Sequence, residues 1–480
     1  MSFKNQDYDA VVVGSGPNGL AAAILLQQQG LSVLLLEGKD KIGGGLRTEE
    51  LTLPGFFHDV CSAVHPMAAA SPFFESLPLR QFGLEYIYPD VAAAHPFDDG
   101  TAAILRKSVE KTAISLGADK DAYLKLIGPL VKSWPKISAD VLRPLSFPSH
   151  PIDTALFALN ALAPATHLAK RFKTEQAKAL FAGMAAHSIQ SLSNIASSAI
   201  ALVLIANGHL KGWAIPMGGS KNIAKALVDY FISLGGEIET NTYITSLDQL
   251  PSAKAVLFDV TPRQLLKIAG HKFSNIYKWQ LERYCYGMGV FKVDWALADT
   301  IPFTAYGAGT ASTVHIGGSL NEIVSSEQDS SDGIHPVKPF VLLTQPSVFD
   351  DTRAPKGKHV AWAYCHVPNG STKDMTERIE KQIERFAPGF RERILGRHTI
   401  NTEQLEQYNP NYIGGDINGG IIDIKQLFTR PALRRSPYRT SAKGIYICSS
   451  STPPGGGVHG MCGYNAGKRA LKDIFNIEIK

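Results

Sequence analysis

The chain has 480 residues, 44% hydrophobic and 19% charged, with a formal net charge of +5. At roughly 100–200 residues per domain, that length holds two or three structural units able to bury cores without staples. Lys and Arg are scattered rather than gathered into a stripe, and no nucleic-acid module is recognisable, so a nucleic-acid partner is excluded.

The first seven residues are short and polar, and an apolar strand begins at once, leaving no room for a signal-peptide core. A cytoplasmic location is expected from this. Residues 8–13 (YDAVVV) form a β-branched apolar run, as a buried parallel strand should. Gly14, Ser15, Gly16, Pro17, Asn18 and Gly19 follow, opening a strong helix former (LAAAILLQQQ) that Gly30 stops. A second apolar strand, 32–36, ends in Glu37, eighteen residues after Gly19. GxGxxG alone is a weak signal, but between a strand and a helix, with an acid closing the next strand, it is a dinucleotide fingerprint. Gly14 permits the tight turn, Gly16 the approach of a pyrophosphate, and Gly19 the packing of helix on strand. The helix N-terminus then favours the phosphates, and Glu37 is placed to accept from a ribose.

Just beyond, Gly38 and the run Gly43, Gly44, Gly45, Leu46, Arg47 form a second glycine cluster beside a basic residue. It suits a long dinucleotide that runs deep into the protein, with Arg47 meeting a phosphate or a flavin edge. Between about 77 and 210 the pattern reads as mostly helical, with breaks at Pro144, Pro148, Pro151 and Pro164. Its most lipid-like stretch, 195–206, is twelve residues, short of the roughly twenty a bilayer requires. It reads as a buried helix, with an interfacial helix and peripheral membrane contact as the minor alternative. From 212 to 261 the α/β style returns: a helix over 222–234, a strand-like 237–247 and a buried strand 255–260. Alternating stretches from 284 to 363 read as an antiparallel sheet, and 375–386 as an amphipathic helix. Residues 408–420, rich in Gly and Asn, are expected to rim the cofactor site or the substrate entrance.

The chain ends on a strand, 445–448, a Gly/Pro-rich loop and a helix from about 461. Six glycines fall in the thirteen residues 455–467. Such a loop is entropically costly unless backbone must approach a flat ligand closely. The helix after it can stabilise negative charge, so Gly460, Met461 and Cys462 are expected to present backbone to a flavin ring. No second GxGxxG occurs, so no dedicated NAD(P) domain is expected. The five cysteines, Cys61, Cys285, Cys365, Cys448 and Cys462, are odd in number and contain no CxxC pair. Neither a disulfide framework, a redox pair nor a metal site is expected from them.

The segments VVVGSGPNGLAAA, EGKDKIGGGLRT, FFHDVCSAVHPM, GWAIPMGGS, DVTPRQLL, GVFKVDWAL and CSSSTPPGGGVHGMCGYNAG span nearly the whole chain. In them the chain resembles the phytoene desaturase-related flavoproteins, a branch of the amine-oxidase-like FAD superfamily. The resemblance implies an α/β fold with a discontinuous Rossmann-like FAD-binding domain (1–76, 212–265, 435–480). An α+β substrate domain with an antiparallel sheet (77–211, 266–434) would complete it. It implies FAD held by residues 14–19, Glu37, Gly38, Gly44, Gly45, Leu46, Arg47, a strand around Ile244, and Gly456, Gly457, Val458, His459, Gly460 and Met461. It also implies a hydrophobic small-molecule substrate, polyene- or lipid-like, reacting by hydride transfer. Many superfamily members carry an acidic residue after the last strand; Ser449–Ser451 stand there instead. Candidates for proton handling are His459, Tyr464 and His65, with His58 and Asp59 beside them and His315 and His366 weaker. A flavin-dependent isomerase and a flavin-bound regulatory or lipid-carrier protein are the alternatives. No aromatic pair that would sandwich an amine is evident.

Overall fold

The computed structural model describes residues 6–479. Three separate stretches of chain build one parallel five-stranded sheet, in the order Ile445–Ile447, Ala253–Phe258, Tyr8–Val13, Val33–Leu36, Glu237–Glu239. The strands Tyr8–Val13 and Val33–Leu36 are almost wholly buried on both faces because both are covered. Ala10 and Val12 pack with the helices Pro17–Gln27, Lys221–Ser233 and Met461–Ala470. Val11 and Val13 pack with the helices Pro262–Ala269 and Asn275–Glu282 on the other side. The two ends of the chain therefore meet: their strands lie one strand apart, and their helices lie side by side.

A second sheet has seven strands, ordered Ile394–Ile400, Gly289–Leu297, His359–Val367, Val341–Thr344, Ala311–Ile316, Val91–Pro96, Ala102–Arg106. All its pairings are antiparallel except Ala311–Ile316 with Val91–Pro96, which is parallel. The helix Thr376–Phe386 covers part of one face. A helical layer that includes Lys120–Val141, Glu175–Ala186 and Ser198–Leu210 packs with the edge strands.

Two readings of the sequence change here. Val91–Pro96 (VAAAHP) lies in the stretch taken as helical, because alanine is the strongest helix former. It is a fully buried strand, so tertiary pairing overrides propensity. The strand over 237–247 stops at Glu239, and Asn241 turns the chain at φ +56°. The stretch 195–206 belongs largely to the helix Ser198–Leu210, which is mostly buried, as an all-round apolar helix should be. No helix among the described residues is long and apolar enough to cross a membrane.

Candidate functional site

In open α/β sheets ligands bind beyond the carboxyl ends of the strands, where strand order reverses. Here that point lies between Tyr8–Val13 and Ala253–Phe258, and a cavity of about 410 Å³ opens there. At its outer end the turn after the first strand has Gly14 at φ +104°, with Gly16 as N-cap of the helix and no side-chain cap. A Cβ on Gly16 would stand 2.5 Å from Asp259 Oδ2, so the approach is open only to glycine. The Asn18 side-chain oxygen is buried there without a partner.

Glu37 is tied down by its neighbours. One carboxylate oxygen accepts the Ser15 N–H (3.0 Å) and hydroxyl (2.5 Å), and the other accepts the Lys39 N–H at 2.9 Å. Arg47 is buried, lies 3.5 Å from Glu37 and donates to the Lys41 carbonyl. Its guanidinium also covers the Tyr408 ring at 5.2 Å. Asp259 sits at the end of the central strand and accepts the Gly19 N–H at 2.9 Å. Burial, with Glu37 nearby, raises its carboxyl to about 7 despite that hydrogen bond.

The inner end is walled by Met67, Ile189, Leu204, Trp213, Val290, Leu342, Trp362 and Tyr364, with His187, Thr313 and Lys292 among them. Trp362 and Tyr364 stack at 5.7 Å, an aromatic pair that the sequence reading did not find. Lys292 is buried and donates to both oxygens of Asp294 at 2.5 Å. Burial alone would raise the Asp294 carboxyl; Lys292, with His398 and His58 around it, holds it below the usual range. His187 shares a 2.9 Å hydrogen bond with His315, and burial lowers His187 to about 3, leaving it neutral.

Of the residues expected at the site, Gly14, Ser15, Gly16, Pro17, Asn18, Glu37, Gly38, Gly44, Gly45, Leu46, Arg47, His65, Ile244, Gly457 and Val458 line this one cavity. So do residues 408–412, Ile417 and Asn418 from the expected rim. Gly19, Gly456, Gly460, Met461 and Cys462 stand behind the wall. Gly19 and Gly460 are backbone spacers: a Cβ on Gly19 would strike the Gly14 carbonyl, and one on Gly460 would sit 2.6 Å from the Phe74 ring. The Cys462 thiol donates to the Thr452 and Gly455 carbonyls at 3.4 Å, and burial pushes it up to about 12.

Two proton-handling candidates are displaced. His459 is buried off the cavity, its Nδ1 accepting the Met461 N–H at 3.0 Å, so it ties the loop to the helix. Tyr464 packs on Phe73 at 4.9 Å, also away from the cavity. His65 does line it, sharing a 2.8 Å hydrogen bond with Ser220, and burial lowers it to about 4. Asp59 is fully buried and holds the guanidinium of Arg353 at 2.5 Å together with the Thr48 hydroxyl and the Ser220 N–H. His58 faces Asp294 at 3.7 Å, lowered to about 4 by burial. His366 is spoken for by Glu327 at 2.7 Å.

Residues 18–266, more than half of the chain, match the family described as flavin containing amine oxidoreductase. The chain belongs to that family. It is an FAD-dependent oxidoreductase, and its resemblance to the phytoene desaturase branch holds across its length. Pyridine nucleotide-disulfide oxidoreductase domain-containing protein 2 of Mus musculus is 25% identical, over 98% of this chain and 94% of that protein. The lycopene-forming phytoene desaturase of Pantoea ananas is 24% identical, over 94% of this chain and 96% of its own. The fold is shared with an oxidoreductase of Methanosarcina mazei at a TM-score of 0.64 and 15% identity, covering 96% of this chain and 99% of that one.

Lys292, Asp259, His187 and the Trp362–Tyr364 pair were missed in the sequence. Lys292 and Asp294 interrupt an otherwise apolar strand two residues apart, on one face, which is a signal for a paired buried charge. Asp259 follows a buried parallel strand directly, where the switch-point rule places ligand contacts.

Proposed function

We propose that the chain is a desaturase or dehydrogenase of apolar, polyene- or lipid-like molecules, removing hydride from substrate held at the inner end of the cavity. The observation that carries this reading is the two-ended cavity, glycine-lined beside a helix N-terminus outside and walled by large apolar side chains inside. The name of the Pantoea ananas relative, a lycopene-forming phytoene desaturase, points the same way.

The outer residues fit FAD. The N-terminus of Pro17–Gln27, where the N-cap Gly16 brings no side chain of its own, suits the pyrophosphate. Glu37 and Gly38 face the ribose in this reading, Ile244 the adenine, and Gly44–Arg47 with Gly457 and Val458 the flavin half. When bound there, FAD supplies the hydride acceptor. The protein's part is to orient the substrate and to exclude water from the inner end. Lys292 stands 5.6 Å from the Trp362 ring, in a wall that is mostly apolar. The same reading assigns 1–76, 212–265 and 435–480 to cofactor binding and 77–211 with 266–434 to substrate.

The purified protein is expected to be yellow, with bands near ~370 and ~450 nm. Under anaerobic conditions an apolar polyene is expected to bleach the longer-wavelength band and putrescine to leave it. Bleaching by the amine alone would overturn the substrate class. A Gly16→Asp variant is expected to be colourless and remain folded; a yellow one would overturn the placement of the cofactor.

A further inference from the structure

The helix Pro151–Ala161 turns an apolar face outward. Ile152, Leu156 and Leu159, at i, i+4 and i+7, share one face and are 75%, 59% and 74% exposed. The turn before it adds Leu145 and Phe147, the latter 86% exposed. That turn is fixed in place: Asp140 accepts the Ser149 and His150 N–H groups at 2.8 and 3.0 Å and the Thr154 hydroxyl at 2.9 Å. At the far end the Ala196 N–H donates to the Leu162 carbonyl at 2.9 Å, which brings exposed Ile195 alongside. The result is a cluster of exposed apolar side chains on a hydrogen-bonded frame, and clustered exposed apolar side chains mark an interaction site.

The charge in this stretch is net positive. Residues 131–175 carry six Lys and Arg against three acids, a large share of the chain's net +5. Two of the acids are engaged locally: Asp140 by Arg143 and Asp153 by Ser133 and Lys136. Lys132, Lys136, Lys170, Arg171 and Lys173, in the segments on either side of the helix, are exposed. A second copy of the chain would bring these like charges face to face, which disfavours self-association. Aliphatic side chains on one helix face, with Lys and Arg in the flanking segments, are the composition of a helix lying in a bilayer interface.

The cluster also backs onto the cavity wall. Phe157, on the inner face of the helix, meets the Trp134 ring edge-on at 6.0 Å. Trp134 donates to the Asn207 oxygen at 2.8 Å, and the Asn207 amide reaches the sulfur of Met67 at 3.1 Å. Met67 lines the apolar end of the cavity.

We propose that Pro151–Ala161, with the turns carrying Phe147 and Ile195, seats in the surface of an anionic lipid bilayer. Docking there puts the inner end of the cavity next to the phase in which an apolar substrate dissolves. That second statement rests on the proposed substrate class, whereas the docking itself does not.

The test uses the full-length flavin-bound protein in flotation with phosphatidylcholine vesicles, with and without about one third phosphatidylglycerol. It is expected to float with the mixed vesicles, and less so when salt is raised to about 0.5 M. Leu156→Asp/Leu159→Asp is expected to weaken vesicle binding by roughly tenfold or more while keeping its flavin spectrum and melting temperature. Lys170→Glu/Arg171→Glu is expected to weaken binding to the mixed vesicles only. The proposal is overturned if the wild type stays unbound with both vesicles, or if the aspartate pair binds as well as the wild type. It is equally overturned if light scattering shows a dimer that the aspartate pair dissolves, since the cluster is then a contact between copies. Vesicle binding without bleaching by any apolar compound would sink the substrate class and leave the docking surface standing.

Discussion

The carboxylate of Asp259 accepts the backbone N–H of Gly19 at 2.9 Å, so an acid from one strand caps the fingerprint helix that begins after another. An anion there is favoured by the helix dipole, yet the carboxyl is set into the cavity wall and Glu37 lies nearby. Burial dominates, and the carboxyl sits at about 7.

The raised carboxyl gives a pH dependence of definite sign. An unfolded aspartate titrates near ~4, so stability from the protonated native form is complete below that pH. It is lost as pH rises towards about 7, because the unfolded chain sheds its proton first. Asp259→Asn keeps an acceptor for Gly19 and removes the titration. Relative to the wild type, the variant is expected to gain on the order of 2–3 kcal/mol in stability between pH 5 and pH 8. Urea titrations of the FAD-free proteins at both pH values measure this. With FAD bound as proposed, the wild type should also release flavin more readily at pH 8 than at pH 6, and the variant should not. A stability difference that does not change with pH would place the Asp259 titration elsewhere.

Lys292 and Asp294 make a second pair with a measurable consequence. Both are buried, and His58 beside them is neutral at pH 7, so Lys292 is the close cation that compensates Asp294. Asp294→Asn leaves that lysine buried without its carboxylate, and a loss of about 3–5 kcal/mol is expected. Replacing both, Lys292→Met with Asp294→Asn, removes the orphaned charge and is expected to recover most of the loss. Chemical denaturation of the two variants decides it. A double variant as unstable as the single one would mean that the pair holds the strand by geometry rather than by charge.

The glycine-lined end of the cavity is legible in the sequence because its constraints are local. Gly14, Gly16 and Glu37 hold their positions through turn geometry and strand length alone, and they line the cavity. In the C-terminal loop Gly457 and Val458 reach the cavity, whereas Gly460 and Met461 stand behind its wall at the start of the last helix. His459 and Tyr464 looked chemical because they flank that loop; their neighbours, Met461 N–H and the Phe73 ring, are contacts that no spacing rule reveals. The inner cavity was illegible for the same reason. His187, Lys292 and Trp362 come from a helix end and two strands far apart in sequence, and only the folded sheet brings them to one wall. Val91–Pro96 shows the limit of propensity: three alanines favour a helix, and a parallel neighbour at Ala311–Ile316 makes them a strand.

The joining of the two chain ends has its own signature in Gly463. A Cβ at this position of the C-terminal helix would be driven into the Asn18 carbonyl, and would lie 3.0 Å from the Ala22 N, both on the fingerprint helix. Backbone cannot swing aside, so Gly463→Ala must push the helices apart just behind the cavity wall. One turn later Gly467 faces the Leu25 methyl at 3.0 Å, the far end of a flexible side chain that can yield. Alanine gains up to about 1 kcal/mol over glycine within a helix, and overpacking costs roughly 1–3 kcal/mol. At Gly467 the two terms nearly cancel, so Gly467→Ala is expected to melt within a few degrees of the wild type. At Gly463 the clash wins, and the alanine variant is expected to lose about 2 kcal/mol or more and to bind FAD less tightly. Thermal melts with flavin fluorescence as a second readout compare the pair directly. If both alanines are tolerated alike, the close approach of the two helices is not what binds the end of the chain to its beginning.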